Sequence, residues 1–102
     1  MSAVELSEQE ERFLVLLESS HDFPGPYTFK LIYRSAPGLE DRLVERICES
    51  VGLPRPEDPP TLRRSGAGRF VSMSLELPIP SARRVLDVYR TIGELDEVVS
   101  YF

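Results

Sequence analysis

Arg63, Arg64 and Arg69 bracket the stretch Ser65-Gly66-Ala67-Gly68, the one dense knot of cations in a chain of formal net charge −5. Arginine's planar fork suits carboxylate and phosphate, and glycine-rich backbone can turn its amides toward an anion. The chemistry open to this pattern is capture of a phosphate or of a carboxylate-bearing partner. It is not a nucleotide loop, because neither G-x-x-x-x-G-K-[ST] nor G-x-G-x-x-G occurs. Its plainer meaning is a hairpin tip whose arginines keep an edge strand from unwanted pairing.

A second candidate is Ala36-Pro37-Gly38-Leu39, where amides at a helix start beside a glycine can approach a ligand carboxylate closely. Arg34 on the preceding strand would add charge there. A simple turn into a helix explains the same residues without a ligand. A third pattern, Gly66-Ala67-Gly68-Arg69-Phe70-Val71, echoes a strand that stacks RNA bases on open-face aromatics. The neighbours expected for Phe70, namely Thr28, Lys30, Ser72 and Ser74, supply no second aromatic, and an acidic chain is a poor polyanion binder. Nucleic acid is therefore disfavoured.

Catalytic groups are scarce. Cys48 falls beside an apolar stripe, as a buried structural thiol would, and the sole histidine, His21, lies in a linker. No histidines or cysteines recur at metal-ligand spacing. No catalytic residue, metal ligand or cofactor follows from these residue types. The eleven arginines against one lysine, Lys30, also fit a GC-rich coding bias.

The elements that must carry these residues are easier to read. Ser7 and Glu10 form a capping box at the start of a helix running to about Ser20, and its block Phe13 to Leu17 is more apolar than one face needs. Tyr27 to Arg34 alternates as a half-buried strand, with Tyr27, Phe29, Leu31 and Tyr33 inward. Pro37 is expected at or near the first turn of a helix whose stripe is Leu39, Leu43, Val44, Ile47 and Val51, stopped by Gly52. A proline-rich connection leads to a short edge strand, Thr61 to Ser65. Phe70 to Leu77 alternates again, with Val71, Met73, Leu75 and Leu77 inward. A last helix follows Pro80 with the stripe Ala82, Val85, Leu86, Tyr89 and Ile92, closed by Gly93, and Glu97 to Phe102 completes the strands.

This order predicts an α+β fold, the ferredoxin-like β-α-β-β-α-β sandwich. Its sheet is antiparallel in the order 4-1-3-2, with one face open. Residues 1–22 form a helical extension and 23–102 the domain. A chain of 102 residues suits one domain burying about two-thirds of its unfolded surface. The acidic N-terminus is unlike a signal peptide, no apolar run approaches a membrane span, and one cysteine allows no internal disulfide. These point to a soluble cytoplasmic protein with no membrane contact.

Three spaced segments carry a resemblance: Phe23-Pro24-x-Pro26-Tyr27-Thr28-Phe29-Lys30, then Ser65-x-x-Gly68-x-Phe70-x-Ser72-x-Ser74, then Leu86-x-x-Tyr89-x-x-Ile92-Gly93-x-Leu95-Asp96-x-Val98. Together they resemble the YbeD-like bacterial family, a domain of unknown function, over about residues 23–102. The resemblance implies a ferredoxin-like domain similar to the small-molecule-binding ACT domains, and it carries over no catalytic residue.

The function expected is that of a non-enzymatic binding or regulatory module docking on a protein partner. Its surface would combine the open face (Lys30, Ile32, Phe70, Ser72, Ser74) with the arginine hairpin (Arg63, Arg64, Arg69). The alternative is a sensor of a small anionic metabolite near Gly38 and Arg34, at the interface of a homodimer formed through sheet edges. Whether the Phe13 to Leu17 helix covers the open face stays open at this stage.

Overall fold

The computed structural model describes residues 6–102. Ser7 and Glu10 close the first helix as a reciprocal pair. The Ser7 hydroxyl accepts from the Glu10 N–H at 3.1 Å, and the Glu10 carboxylate accepts from the Ser7 N–H at 3.0 Å. This helix, α1, spans Glu8–Ser20. Strand β1 follows at Gly25–Arg34, two residues longer at its start than the alternation alone indicates, because Pro26 faces Pro78 and needs no ladder amide there.

Helix α2 spans Leu39–Ser50. Gly38 is its N-cap at φ +72°, so Pro37 belongs to the turn ahead of the helix and not to its first turn. At the other end Gly52, at φ +66°, lets two amides turn back: Gly52 donates to the Glu49 carbonyl and Leu53 to that of Cys48. That paired closure is the Schellman arrangement. Strands β2 (Thr61–Ser65) and β3 (Phe70–Ile79) form a hairpin, helix α3 (Ala82–Gly93) starts on the Ser81 hydroxyl, and β4 (Val98–Tyr101) completes the sheet.

The sheet has four antiparallel strands in the order β2-β3-β1-β4, which from the other edge reads 4-1-3-2. One face packs on the helices. Phe29, Leu31, Tyr33, Val71, Met73, Leu75, Leu77 and Ile79 join Leu43, Val44 and Ile47 of α2 and Val85, Val88 and Ile92 of α3 in one core. Val88 is fully buried although it fell outside the stripe read from the sequence. No polar or charged residue is buried among the described residues.

Helix α1 joins the helix layer. Leu17 enters the core with Phe13 and Leu14 against it, and Arg90 of α3 grips one Glu10 oxygen through two nitrogens at 3.0 and 2.8 Å. Tyr89 ties the layers together, since its ring lies 5.7 Å from Phe13, 5.3 Å from Phe29 and 6.0 Å from Tyr101. Gly93 is the last helical residue and not a left-handed stop. A Cβ there would sit 3.0 Å from the Tyr101 hydroxyl, so the small residue admits β4 beside α3. No helix among the described residues is long and apolar enough to cross a membrane.

Candidate surfaces of the open sheet and the β1–α2 cleft

Successive strand residues face opposite ways, so the register of the ladders decides which candidates meet. On the open face three cross-strand rows follow. Ser65, Phe70 and Arg34 form the first, and Arg63, Ser72, Ile32 and Ser100 the second. Thr61, Ser74 and Lys30 form the third, extended by Phe102, whose backbone exchanges two hydrogen bonds with Lys30 at 3.0 and 2.9 Å. Seven of the expected residues (Lys30, Ile32, Arg34, Arg63, Phe70, Ser72, Ser74) therefore share this face.

Its centre is a depression of about 370 Å³ lined by Lys30, Ile32, Arg63, Ser72, Ser74 and Phe102, among others. Lys30, Arg34 and Arg63 are exposed, while Ile32 is half-buried among them. The Arg34 guanidinium lies 5.3 Å from the Phe70 ring centre, a cation–π contact that covers this aromatic. Phe102, 60% exposed, is a second aromatic on the face, contrary to the expectation of none. The sequence hid it because β4 shifts register between its pairings to Ile32 and Tyr33. Ser100 faces Ile32 and Val98 faces Tyr33, leaving Val99 as a bulge that breaks simple alternation.

The arginine hairpin is not one cluster. Arg63 and Arg64 are neighbours on β2 and so point to opposite faces. Arg64 turns to the helix side, where its guanidinium donates to the Ser35 hydroxyl at 3.2 Å. Arg69 curls back on its own turn and donates to the Gly66 carbonyl at 3.0 Å. The tip backbone is left-handed at Gly66, Ala67 and Gly68. Expecting one joint anion site from Arg63, Arg64 and Arg69 is thus corrected by strand parity and by the turn's own hydrogen bonds.

Gly38 lines a separate cleft of about 430 Å³ with Tyr33, Ser35, Pro37, Glu40, Asp41 and Arg64. Arg34, expected to add charge here, is on the other side of the sheet, and Arg64 stands in its place. Glu40 and Asp41 make the lining mixed in charge. Burial, with Glu40 nearby, pushes the Tyr33 hydroxyl above its usual range.

The matched family is described as Protein of unknown function (DUF493), and it covers residues 18–102. This chain belongs to that family. The UPF0250 protein YbeD of Escherichia coli O1:K1 / APEC is 30% identical over 78 residues, covering 76% of this chain and 85% of that protein. The UPF0250 protein YbeD of Shigella boydii serotype 18 (strain CDC 3083-94 / BS512) shows the same figures. All three segments that carried the resemblance lie inside the matched range, whereas most of α1 lies before it.

Cys48 and His21 lie apart from both surfaces. Cys48 is 3% exposed, and burial raises its thiol above the ordinary range, which holds it as the unreactive protonated form. His21 lies 5.0 Å from the Tyr27 ring, far in the chain from Cys48. Among the described residues no group of three or more His, Cys, Asp or Glu is placed to hold a metal.

Proposed function

We propose that this chain is a non-enzymatic binding module of ferredoxin-like type that docks on a protein partner through its open sheet face. The observation behind this reading is a sheet face that no helix among the described residues covers. A partly exposed apolar centre, Ile32 with Phe102, is ringed there by Lys30, Arg34 and Arg63. An apolar centre with a charged rim is the anatomy of a protein interface. The cationic rim in an acidic chain steers acidic partners to it. A soluble, cytoplasmic setting accords with this role.

The test compares capture from lysate by the wild type and by K30E/R63E, with E45K/E49K on the solvent side of α2 as control. Loss of the same captured protein in K30E/R63E alone is the expected result. Equal capture by all three overturns the reading, and capture of RNA in place of protein would convert it to the base-stacking alternative.

A second reading rests on the cleft, in which Gly38, Ser35 and Arg64 meet: it would bind a small metabolite carrying a carboxylate. Glu40 opposes a purely anionic ligand and favours one with an amino group as well, whereas the Asp41 carboxylate is already paired with Arg55. Amide chemical-shift titration with amino acids and simple carboxylates tests it. Saturable shifts at Gly38 and Ser35 support the cleft, and none at millimolar ligand removes it.

A further inference from the structure

The outer side of α1 is unpartnered among the described residues and has an unusual make-up. Val15 and Leu16 are 65% and 62% exposed, and with Glu8, Glu11 and Arg12 they line one continuous surface at the helical spacing i, i+3, i+4, i+7, i+8. Glu18 flanks them on the side of Glu11, and Arg12 is already engaged by Glu8 at 3.6 Å. Three carboxylates against one guanidinium make this an acidic stripe with an apolar centre. The open sheet face is its counterpart: the side chains of Lys30, Arg34 and Arg63 against one side-chain carboxylate, Glu76, around Ile32 and Phe102.

The signs decide which pairings are allowed. Sheet against sheet would set cations on cations, and α1 against α1 would set carboxylates on carboxylates. Helix on sheet matches both charge and apolar centre. It cannot occur within one protomer, because Leu17 and the Glu10–Arg90 pair hold α1 in the helix layer, across the sheet from the open face.

We infer that the outer face of α1 docks on the open sheet face of a second copy of this chain, giving head-to-tail self-association. The inference rests on the sheet-face reading above and names a partner for it. The contact is heterologous, so it propagates into a ring or a short chain and does not stop at a twofold dimer. A 13-residue helix is about 20 Å long. The interface therefore falls in the small class, below about 1,200 Å², where association is weak and transient.

Charge exchange tests it with exposed residues only, and circular dichroism checks that each variant is folded. Sedimentation velocity of the wild type should show mass rising between ~10 µM and ~1 mM, and less so at ~1 M salt, where screening reaches about 3 Å. K30E/R63E alone and E11K/E18K alone should each lose about tenfold or more in association. Mixed in equal amounts they should associate again, since each then offers the charge the other lacks. A wild type that stays monomeric over that range overturns the inference, as does a mixture no larger than its components. If the mixture fails while K30E/R63E still loses a captured partner, self-association is refuted and the sheet-face reading stands. If neither experiment responds, both fall.

Discussion

Leu31 and Ile32 are consecutive on β1, yet replacing them should have very different costs. Leu31 is 0% exposed, between Met73 and Tyr101 in the sheet, whereas Ile32 is half-buried on the open face between Ser72 and Ser100. Leu31→Ala removes a fully buried side chain and leaves a cavity, a loss of about 3 kcal/mol within the usual range of 2–5. Ile32→Ala loses part of one side's packing and some strand preference, about 0.5–1 kcal/mol. Urea unfolding with a slope of about 1.5 kcal/mol/M turns these into midpoint shifts of about 2 M and about 0.5 M. Thermal midpoints should fall by about 12–24 °C and about 2–8 °C. Equal shifts would refute the reasoning, because Ile32 would then lie under a covering element and the open face would not be open.

Other outcomes follow from individual groups. Ala67 is the one non-glycine residue with positive φ among those described, at 58°, so Ala67→Gly should raise stability. About 1–2 kcal/mol of left-handed strain is relieved, less the added freedom of the unfolded chain, for a net gain of about 0.5–1 kcal/mol in urea unfolding. The Ser7 N–H and the Arg90 guanidinium hold the Glu10 carboxyl below its usual value of 4.5. Its contribution is therefore present above that pH and disappears as pH falls through the lowered value. Thermal midpoints of wild type and E10Q should differ at pH 7 and converge as the pH is taken well below the ordinary carboxylate range, and a constant gap would contradict this. The Cys48 thiol should react with a thiol reagent only as fast as the protein opens, so L31A should react faster than wild type; rapid labelling of the native protein would refute its burial.

Periodicity in the sequence carries the strands and helices here, because the inward residues of each element recur at its own spacing, and the order of those elements carries the strand order. Phe29, Leu31 and Tyr33 on β1, and Val71, Met73, Leu75 and Leu77 on β3, are read directly from alternation and all reach the core. The candidate sites were less legible, because adjacency in the chain is a poor guide to adjacency in space on a strand. Arg63 and Arg64 look like one cationic unit and are divided by the sheet. Arg34 looks close to Gly38 and faces the other way. Phe102 was concealed by the bulge at Val99, and Gly93 resembles a helix stop but is small because Tyr101 lies over it. Such facts depend on register and on contacts between remote segments, which no local pattern encodes.

The place of β4 in the sheet has a consequence for what its release would do. β1 pairs with β3 on one side and with β4 and Phe102 on the other, so with residues 98–102 detached the outer edge of β1 around Lys30 to Tyr33 is bare. An unpaired strand edge is a template for another chain. Detachment of this four-residue strand would therefore open the protein to edge-to-edge misassembly while its central pair stays intact.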